Sequence, residues 1–328
     1  MMVTKKDIAN FLGISRTSVS LALNNAPNST ISEETKNKIL NAARELGYRD
    51  SEISPKLCFI IYNRAENDPR YINDLKVVEE SASRHNYRVI YMSIKASYLE
   101  LQKLQKFLQG QEVEGVIVSG DIDDQLVELI EKSNVPYVFY GGIQRENVNS
   151  IVNDDKKIAY EATKYLISLG HRKIALFSGR LDLQIHRLNI EGYKQALKEA
   201  RIPLDNSLIQ ISGEEDGYEL CSRMQALGIA YSAVFCVNTI MQFGALQRLK
   251  ESGVNVPHDV SLIGSGISEI VRVSVPHLTT MYVGPEEKEL LVTRLLDIIN
   301  EKAETPQSIY ISNFELFEGG TVTCKNKI

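Results

Sequence analysis

The stretch from Thr4 to Asn24, TKKDIANFLGISRTSVSLALN, constrains the fold most strongly, because it has the pattern of two short helices joined by a tight turn. Thr4 and Asp7 have the spacing of a helix N-cap and its partner in the first turn. Gly13 is expected to end the first helix. Three apolar residues at i, i+3, i+4 spacing predict the buried stripe of that helix: Ile8, Phe11 and Leu12.

The second helix is predicted to show an outward face of short polar side chains. Ser15 has the residue type of its N-cap, and three apolar residues are expected to face inward: Val19, Ala22 and Leu23. The opposite face carries four polar residues: Arg16, Thr17, Ser20 and Asn24. Such a helix pair is typical of a motif whose second helix enters a DNA major groove. The alternative is a surface helical hairpin in which the Ser and Thr residues act only as caps.

A third helix is predicted after Ser32, its expected N-cap, and Gly47 is expected to end it. Its apolar stripe contains four residues: Ile39, Leu40, Ala43 and Leu46. Residues 1–49 carry seven Lys and Arg against four Asp and Glu, a net charge of +3, whereas the whole chain has a net charge of −5. The positive end therefore coincides with the proposed DNA-binding unit, as phosphate binding requires.

From residue 57 onward, short apolar runs alternate with helical stripes. The predicted strands are 57–62, 88–94, 113–119, 137–140, 173–177, 233–237 and 260–264, with β-rich segments at 308–317 and 321–325. The predicted helices lie within 72–82, 99–108, 126–130, 156–169, 188–200, 240–252 and 285–302. This alternation predicts two successive α/β lobes, each with a mostly parallel sheet. In such folds ligands bind beyond the carboxyl ends of the strands, so a cleft between the lobes is expected.

Several stretches resemble the lactose/galactose repressor (LacI/GalR) family of bacterial transcription regulators: VTKKDIANFLGIS, SVSLALN, ISEETKNKILNAARELGY, LGHRKIALFSG, and DVSLIG with PHLTT. The resemblance covers nearly the whole chain in order. It implies a small all-α helix-turn-helix head and an α/β two-lobe core of the periplasmic-binding-protein-like type I fold. The implied protein is a homodimeric regulator, a repressor, that binds a pseudo-palindromic double-stranded operator.

The expected domains are a head at 1–49, a linker at 50–56 and an effector-binding and dimerisation core at 57–328. Lobe 1 is expected at about 57–153 and 283–311, and lobe 2 at about 154–282 and 312–328. The resemblance also implies three crossings between lobes, near Asn153, Val283 and Ile311. Family members carry a second short helix after the head, whose leucine wedges into the minor groove. The linker, with Asp50, Glu52 and Pro55, is expected to lack this helix.

Nine residues are expected to contact DNA: Thr4, Lys5, Ser15, Arg16, Thr17, Ser18, Ser20, Leu21 and Asn24. The resemblance places six of them on family positions that contact bases or phosphates: Ser15, Arg16, Thr17, Ser18, Ser20 and Asn24. Lys5 can neutralise a phosphate. Arg16 is the strongest candidate for base readout, because Arg can donate two hydrogen bonds to guanine O6 and N7. The family usually has Arg where this chain has Leu21, which predicts an operator that differs from the family's usual sequence.

Family effectors are sugars or purines, and a sugar or sugar derivative is the expected class. Asp154 and Asn238 match two family ligand positions, and Arg187 stands close to a third, whose own position holds Asn189. The late family Asp is replaced within 264–267, GSGI, which argues against an ordinary hexose. Four further residues are expected to face the cleft: Tyr62, Arg70, Tyr71 and Tyr140. The alternative is that the tyrosines only pack the lobe interface.

Four scattered Cys without a CxxC pair, and five His without metal spacing, predict neither a metal site nor a cofactor. We find no nucleophile triad, Walker loop or GxGxxG, so an enzyme is not expected. We expect a cytoplasmic protein, since no signal peptide or membrane span is apparent. The remaining alternative is a regulator controlled by a protein partner, with a degenerate sugar site.

Overall fold

The computed structural model describes residues 3–23, 31–46, 48, 55–141, 143, 147–302 and 306–325. The chain forms two compact units, and the boundary falls between Pro55 and Lys56. Three parts of the sequence predictions lie outside the described residues: the DNA-contacting Asn24, the helix-ending Gly47 and residues 50–54 of the linker. Lys56 begins the first strand, so the predicted linker is one residue shorter at that end.

The first unit contains helices α1 (Lys5–Leu12), α2 (Arg16–Leu23) and α3 (Glu33–Glu45). At the start of α1, the backbone N–H and the hydroxyl of Thr4 both donate to Asp7 Oδ2, at 2.7 and 2.6 Å, which confirms the predicted capping pair. Gly13 ends α1 with φ of 65°, a left-handed conformation that glycine adopts without steric cost.

The core of this unit is built from all three helices, with Ile8, Val19 and Ile39 fully buried. Phe11 does not join them: its side chain is 53% exposed, and the predicted stripe on α1 is wrong at this position. The buried face of α1 runs through Ile8, Ala9 and Leu12 instead, and this rotation of the helix turns Phe11 outward.

The second unit contains two lobes, each built on a six-stranded sheet. The lobe 1 sheet is parallel throughout, in the order β11-β5-β4-β3-β1-β2. Its strands are β1 (Lys56–Tyr62), β2 (Arg88–Ile94), β3 (Gly115–Gly120), β4 (Tyr137–Tyr140), β5 (Ser150–Asn153) and β11 (Ser308–Ile311). The helices of this lobe are α4 (Pro69–Arg84), α5 (Tyr98–Gln109), α6 (Asp124–Lys132) and α12 (Pro285–Ile299).

The lobe 2 sheet has the order β12-β10-β9-β8-β6-β7 and is parallel except for the β10–β12 pair. Its strands are β6 (Ile174–Ser178), β7 (Ile209–Ile211), β8 (Ala233–Cys236), β9 (Ser261–Ser265), β10 (Thr279–Tyr282) and β12 (Glu315–Phe317). The helices of this lobe are α7 (Asp155–Ser168), α8 (Gln184–Glu199), α9 (Gly217–Ala226), α10 (Thr239–Glu251) and α11 (Glu269–Val273), with a 3₁₀ turn at Asn206–Leu208.

The chain passes between the lobes three times: between β5 and α7, between β10 and α12, and between β11 and β12. Apolar strands buried on both faces form the interior of each lobe, as parallel sheets require. Residues 321–325, predicted to be β-rich, form no regular strand. Thr321 and Thr323 instead run beside β9, where Leu262 N–H donates to the carbonyl of Thr321 and Thr323 N–H donates to Ser261 Oγ.

Candidate DNA-binding helix and effector cleft

Helix α2 shows the polar face that the sequence predicts. Its Val19 and Ala22 are buried against α1 and α3, whereas Arg16 and Thr17 are exposed in its first turn. Ser15 Oγ accepts a hydrogen bond from the backbone N–H of Ser18 at 3.0 Å, so Ser15 caps the helix. The first unit therefore presents a cation and a hydroxyl at the start of a short, rigidly packed helix, as groove-reading helices do.

The other predicted DNA-binding residues that the structure describes lie on α1 and α2. Thr4 and Lys5 lie at the start of α1, and Ser18, Ser20 and Leu21 are half-buried on α2. Leu21 lies outside the apolar core of the unit. Their contacts with DNA stay a prediction.

In the second unit, the carboxyl ends of strands from both sheets meet at a cavity of about 420 Å³. The ends of β1, β3, β4 and β5 contribute from lobe 1, and those of β8 and β9 contribute from lobe 2. In each sheet the first strand lies between the next two in sequence, so the order reverses there, and open α/β sheets bind ligands at such switch points. The volume is in the range of small-molecule sites.

Glu215, in the loop between β7 and α9, connects the two lobes across this cavity. Its Oε1 lies 3.2 Å from Arg64 Nη2, and its Oε2 accepts a hydrogen bond from Arg70 Nη1 at 2.8 Å. Both arginines belong to lobe 1. From lobe 2, Asn238 Nδ2 donates to Oε2 at 2.8 Å, and His186 Nε2 lies 3.3 Å from Oε1. We call this cluster of Glu215, Arg64, Arg70, His186 and Asn238 the Glu215 bridge.

Three features of the structure support a charged Glu215 at the centre of the Glu215 bridge. Gly179 N–H donates to His186 Nδ1, so the neutral ring carries its proton on Nε2, facing Glu215. Glu215 itself has φ of 55°, a left-handed conformation that non-glycine residues rarely adopt. Burial would raise the pKa of Glu215, but the close approach of His186 and the charges of Arg70 and Arg64 outweigh it and hold the pKa well below its ordinary value. Glu215 is therefore a buried anion with donors from both lobes.

The arginines of the bridge also have carboxylate partners within lobe 1. Arg64 Nη2 lies 2.7 Å from Asp121 Oδ1, and Arg70 Nη2 lies 2.6 Å from Asp68 Oδ2. Each guanidinium is thus shared between a carboxylate of its own lobe and Glu215.

A second ion pair joins α4 to α12 in the wall of the cavity. Lys288 Nζ donates to Asp74 Oδ1, and both side chains are 9% exposed. Burial opposes the charge of Lys288, but the carboxylate of Asp74 raises the pKa of the ammonium above its ordinary value. Both residues lie on apolar stripes of their helices, so a charge at a core position was the sequence signal that could have identified them.

Asp155, the first residue of α7, also lines the cavity but lacks such a partner. It is 7% exposed, and its carboxylate makes no hydrogen bond or ion pair with the described residues. Burial, together with the neighbouring charge of Asp154, raises the pKa of Asp155 to about 8. Nearby, the Oδ1 of Asn153 is buried without a hydrogen-bond partner, and burial raises the pKa of Tyr140 to about 12.

Four predicted effector residues line the cavity: Arg70, Tyr71, Tyr140 and Asn238. Asp154 does not line it, because its carboxylate accepts a hydrogen bond from the backbone N–H of Lys157 and caps α7. Arg187 does not line it either, because its Nη1 donates to the carbonyls of Leu181 and Asp182.

Sequence analysis missed several residues of the site, including Arg64, His186 and Glu215. Glu215 and His186 lie in or beside segments for which no regular element was predicted, so their meeting in the cleft had no local signal.

Among helices of the described residues, none has the length and apolarity to cross a bilayer.

Two family models match the chain. The model of bacterial regulatory proteins of the lacI family matches residues 4–51, and that of the periplasmic binding protein-like domain matches residues 163–322. The first spans the three helices of the first unit, and the second lies within the two-lobe unit.

Similar proteins match over almost their full length. The HTH-type transcriptional repressor PurR of Vibrio atlanticus (strain LGP32) is 30% identical over 342 aligned positions, covering 99% of this chain and 100% of the relative. PurR of Haemophilus influenzae (strain ATCC 51907 / DSM 11121 / KW20 / Rd) is 30% identical over 315 positions, covering 92% of this chain and 91% of the relative.

Two solved structures have the same fold. The transcriptional regulator CelR in complex with cellobiose superposes with a TM-score of 0.72 at 24% identity, covering 97% of this chain and 99% of that one. The Lac repressor dimer bound to operator and the anti-inducer ONPF superposes with a TM-score of 0.70 at 23% identity, covering 98% of this chain and 100% of that one. With its helix-turn-helix head, its two-lobe core and its full-length repressor relatives, the chain belongs to the lacI family of DNA-binding transcriptional regulators.

Proposed function

We propose that this protein is a homodimeric, cytoplasmic repressor of sugar or catabolic genes that reads a pseudo-palindromic operator with α2. The observation that carries the proposal is the first turn of α2, where Arg16 and Thr17 are exposed on a helix whose other face is buried. A single short helix offers few base contacts, so two heads on two half-sites supply the affinity that one lacks.

The experiment begins with an operator selected from random duplex DNA by the full-length protein. Arg16→Ala should weaken binding to this operator by about 1–3 kcal/mol and weaken binding to random DNA far less, because a bidentate guanine contact reads sequence. Lys6→Ala, on the exposed side of α1, is the matched control and should weaken both alike, as a phosphate contact does. Equal losses for both variants on both DNAs would reject base readout by Arg16.

We also propose that the linker inserts no leucine wedge into the minor groove. With Lys56 in the first strand, residues 50–55 span at most about 22 Å when extended, which is too short for a helix and both of its connections. Asp50 and Glu52 are also repelled by the phosphates that flank a minor groove. FRET between the ends of operator DNA should therefore show no sharp central kink, and a kink like that of wedge-inserting proteins would overturn this reading.

The proposed effector is a small molecule bound between the lobes, a sugar or sugar derivative. CelR, whose fold is similar, holds the disaccharide cellobiose. The residues proposed to contact the effector are Arg70, Tyr71, Tyr140 and Asn238. A cavity lined by strand ends of both lobes suits a small ligand better than a protein surface, which favours this reading over control by a protein partner.

A further inference from the structure

The charges of the cavity are unequally partnered. Among the described residues that line it are three cations and seven carboxylates. Each cation already has a carboxylate at 3.2 Å or less: Arg64 has Asp121 and Glu215, Arg70 has Glu215 and Asp68, and Lys288 has Asp74. An anionic effector would have to compete with the protein's own carboxylates for every one of these cations.

In contrast to the cations, two hydrogen-bond acceptors at the junction of β5 and α7 have no partner within the described residues. The carboxylate of Asp155 is more than nine-tenths buried and unpartnered within the described residues, and the Oδ1 of Asn153 is buried and unpartnered as well. A buried acceptor that stays unpaired destabilises the folded protein, so such groups in a cavity indicate a bound donor. Asp155 lines the cavity, so its unpartnered carboxylate favours a ligand group that donates hydrogen bonds and carries positive charge, whereas the Asn153 oxygen is closed to the cavity.

We propose, building on the effector cleft above, that the effector carries a protonated amine, which binds at the Asp155 carboxylate. An ammonium has three donors and no acceptor, so it satisfies the carboxylate of Asp155 and leaves donors for the rest of the cavity. The excess of carboxylates along the cavity attracts a cation and repels a phosphate or carboxylate ligand. The raised pKa of Asp155 agrees with a carboxyl that has no positive partner until the amine arrives.

The inference is tested by thermal unfolding of the full-length protein with amines and their neutral counterparts. The probes are glucosamine, galactosamine and mannosamine, each compared with its parent hexose and its N-acetyl derivative, and putrescine compared with 1,4-butanediol. We expect at least one amine to stabilise the protein, and to bind at least about tenfold more tightly than its neutral counterparts, because a buried charge pair is lost in those.

Asp155→Asn should abolish the preference for the amine, since the amide keeps the shape of the side chain but removes its charge. Asp154→Asn is the matched control: it removes the adjacent carboxylate, retains a residue that caps helices well, and should leave the preference in place.

The inference is overturned if no amine stabilises the protein, if a neutral or anionic member binds most tightly, or if Asp155→Asn still prefers the amine. Operator binding, measured on the same samples, keeps this outcome separate from the proposed function. A neutral ligand that binds the core and changes operator affinity would leave the proposed function standing and reject the amine.

Discussion

Glu215→Gln should loosen the contact between the two lobes. A charge-assisted hydrogen bond contributes about 1.5–3 kcal/mol, and Glu215 makes two such contacts across the cleft, with Arg64 and Arg70. All three side chains are at most 25% exposed, so solvent screens these contacts only partly. Because each arginine keeps a second carboxylate, no buried charge is left unpaired, and we expect a loss near the lower limit, about 3 kcal/mol. This corresponds to a shift of somewhat more than a hundredfold toward the open cleft.

The opening can be followed by FRET between dyes on the two lobes. Tyr98 on lobe 1 and Leu227 on lobe 2 are 73% and 64% exposed, so Tyr98→Cys and Leu227→Cys provide attachment sites in a background that lacks the exposed Cys324. Glu214→Gln is the matched control, because Glu214 is exposed and lies outside the Glu215 bridge. An unchanged lobe distance and unfolding temperature in Glu215→Gln would refute the reasoning.

Two further predictions concern buried carboxyl groups. Because the pKa of Asp155 is raised to about 8, the folded state binds more protons than the unfolded state between pH 5 and 8. The stability of the protein should therefore fall as pH rises through this range. In thermal unfolding, the unfolding temperature of Asp155→Asn should fall less over the same range than that of the unmodified protein. For the ion pair of Asp74 and Lys288, Asp74→Asn should destabilise the protein by about 3–5 kcal/mol in chemical denaturation, whereas Asp74→Leu combined with Lys288→Met should cost much less, because no buried charge is left alone. A double variant as unstable as the single one would contradict this.

The alternation of strands and helices could be predicted from the sequence, because apolar residues recur at helical spacing in the long helices and form short continuous runs in the buried strands. The strands at Arg88–Ile94 and Tyr137–Tyr140 were predicted to the residue. The short strands Ser150–Asn153 and Thr279–Tyr282 were missed, since few residues give too little periodicity to recognise. The helix Gly217–Ala226 was missed as well.

The candidate site was less predictable than the fold. Matching to family positions selected Asp154, whereas its neighbour Asp155 lines the cavity; a helix start turns adjacent side chains about 100° apart, and sequence alone does not say which faces inward. The Glu215 bridge depends on residues about 150 positions apart, so only the tertiary structure brings them together.

The Glu215 bridge also has a consequence for the time course of regulation. We expect an effector enclosed by both lobes to enter or leave while the contacts from Glu215 to Arg64 and Arg70 are broken. The rates of effector association and dissociation should therefore both fall as the fraction of open molecules falls. The equilibrium between the two states favours the closed cleft. Such a regulator responds slowly to a rise in effector and holds its state after the effector is gone, so a brief fluctuation in concentration passes without a change in transcription.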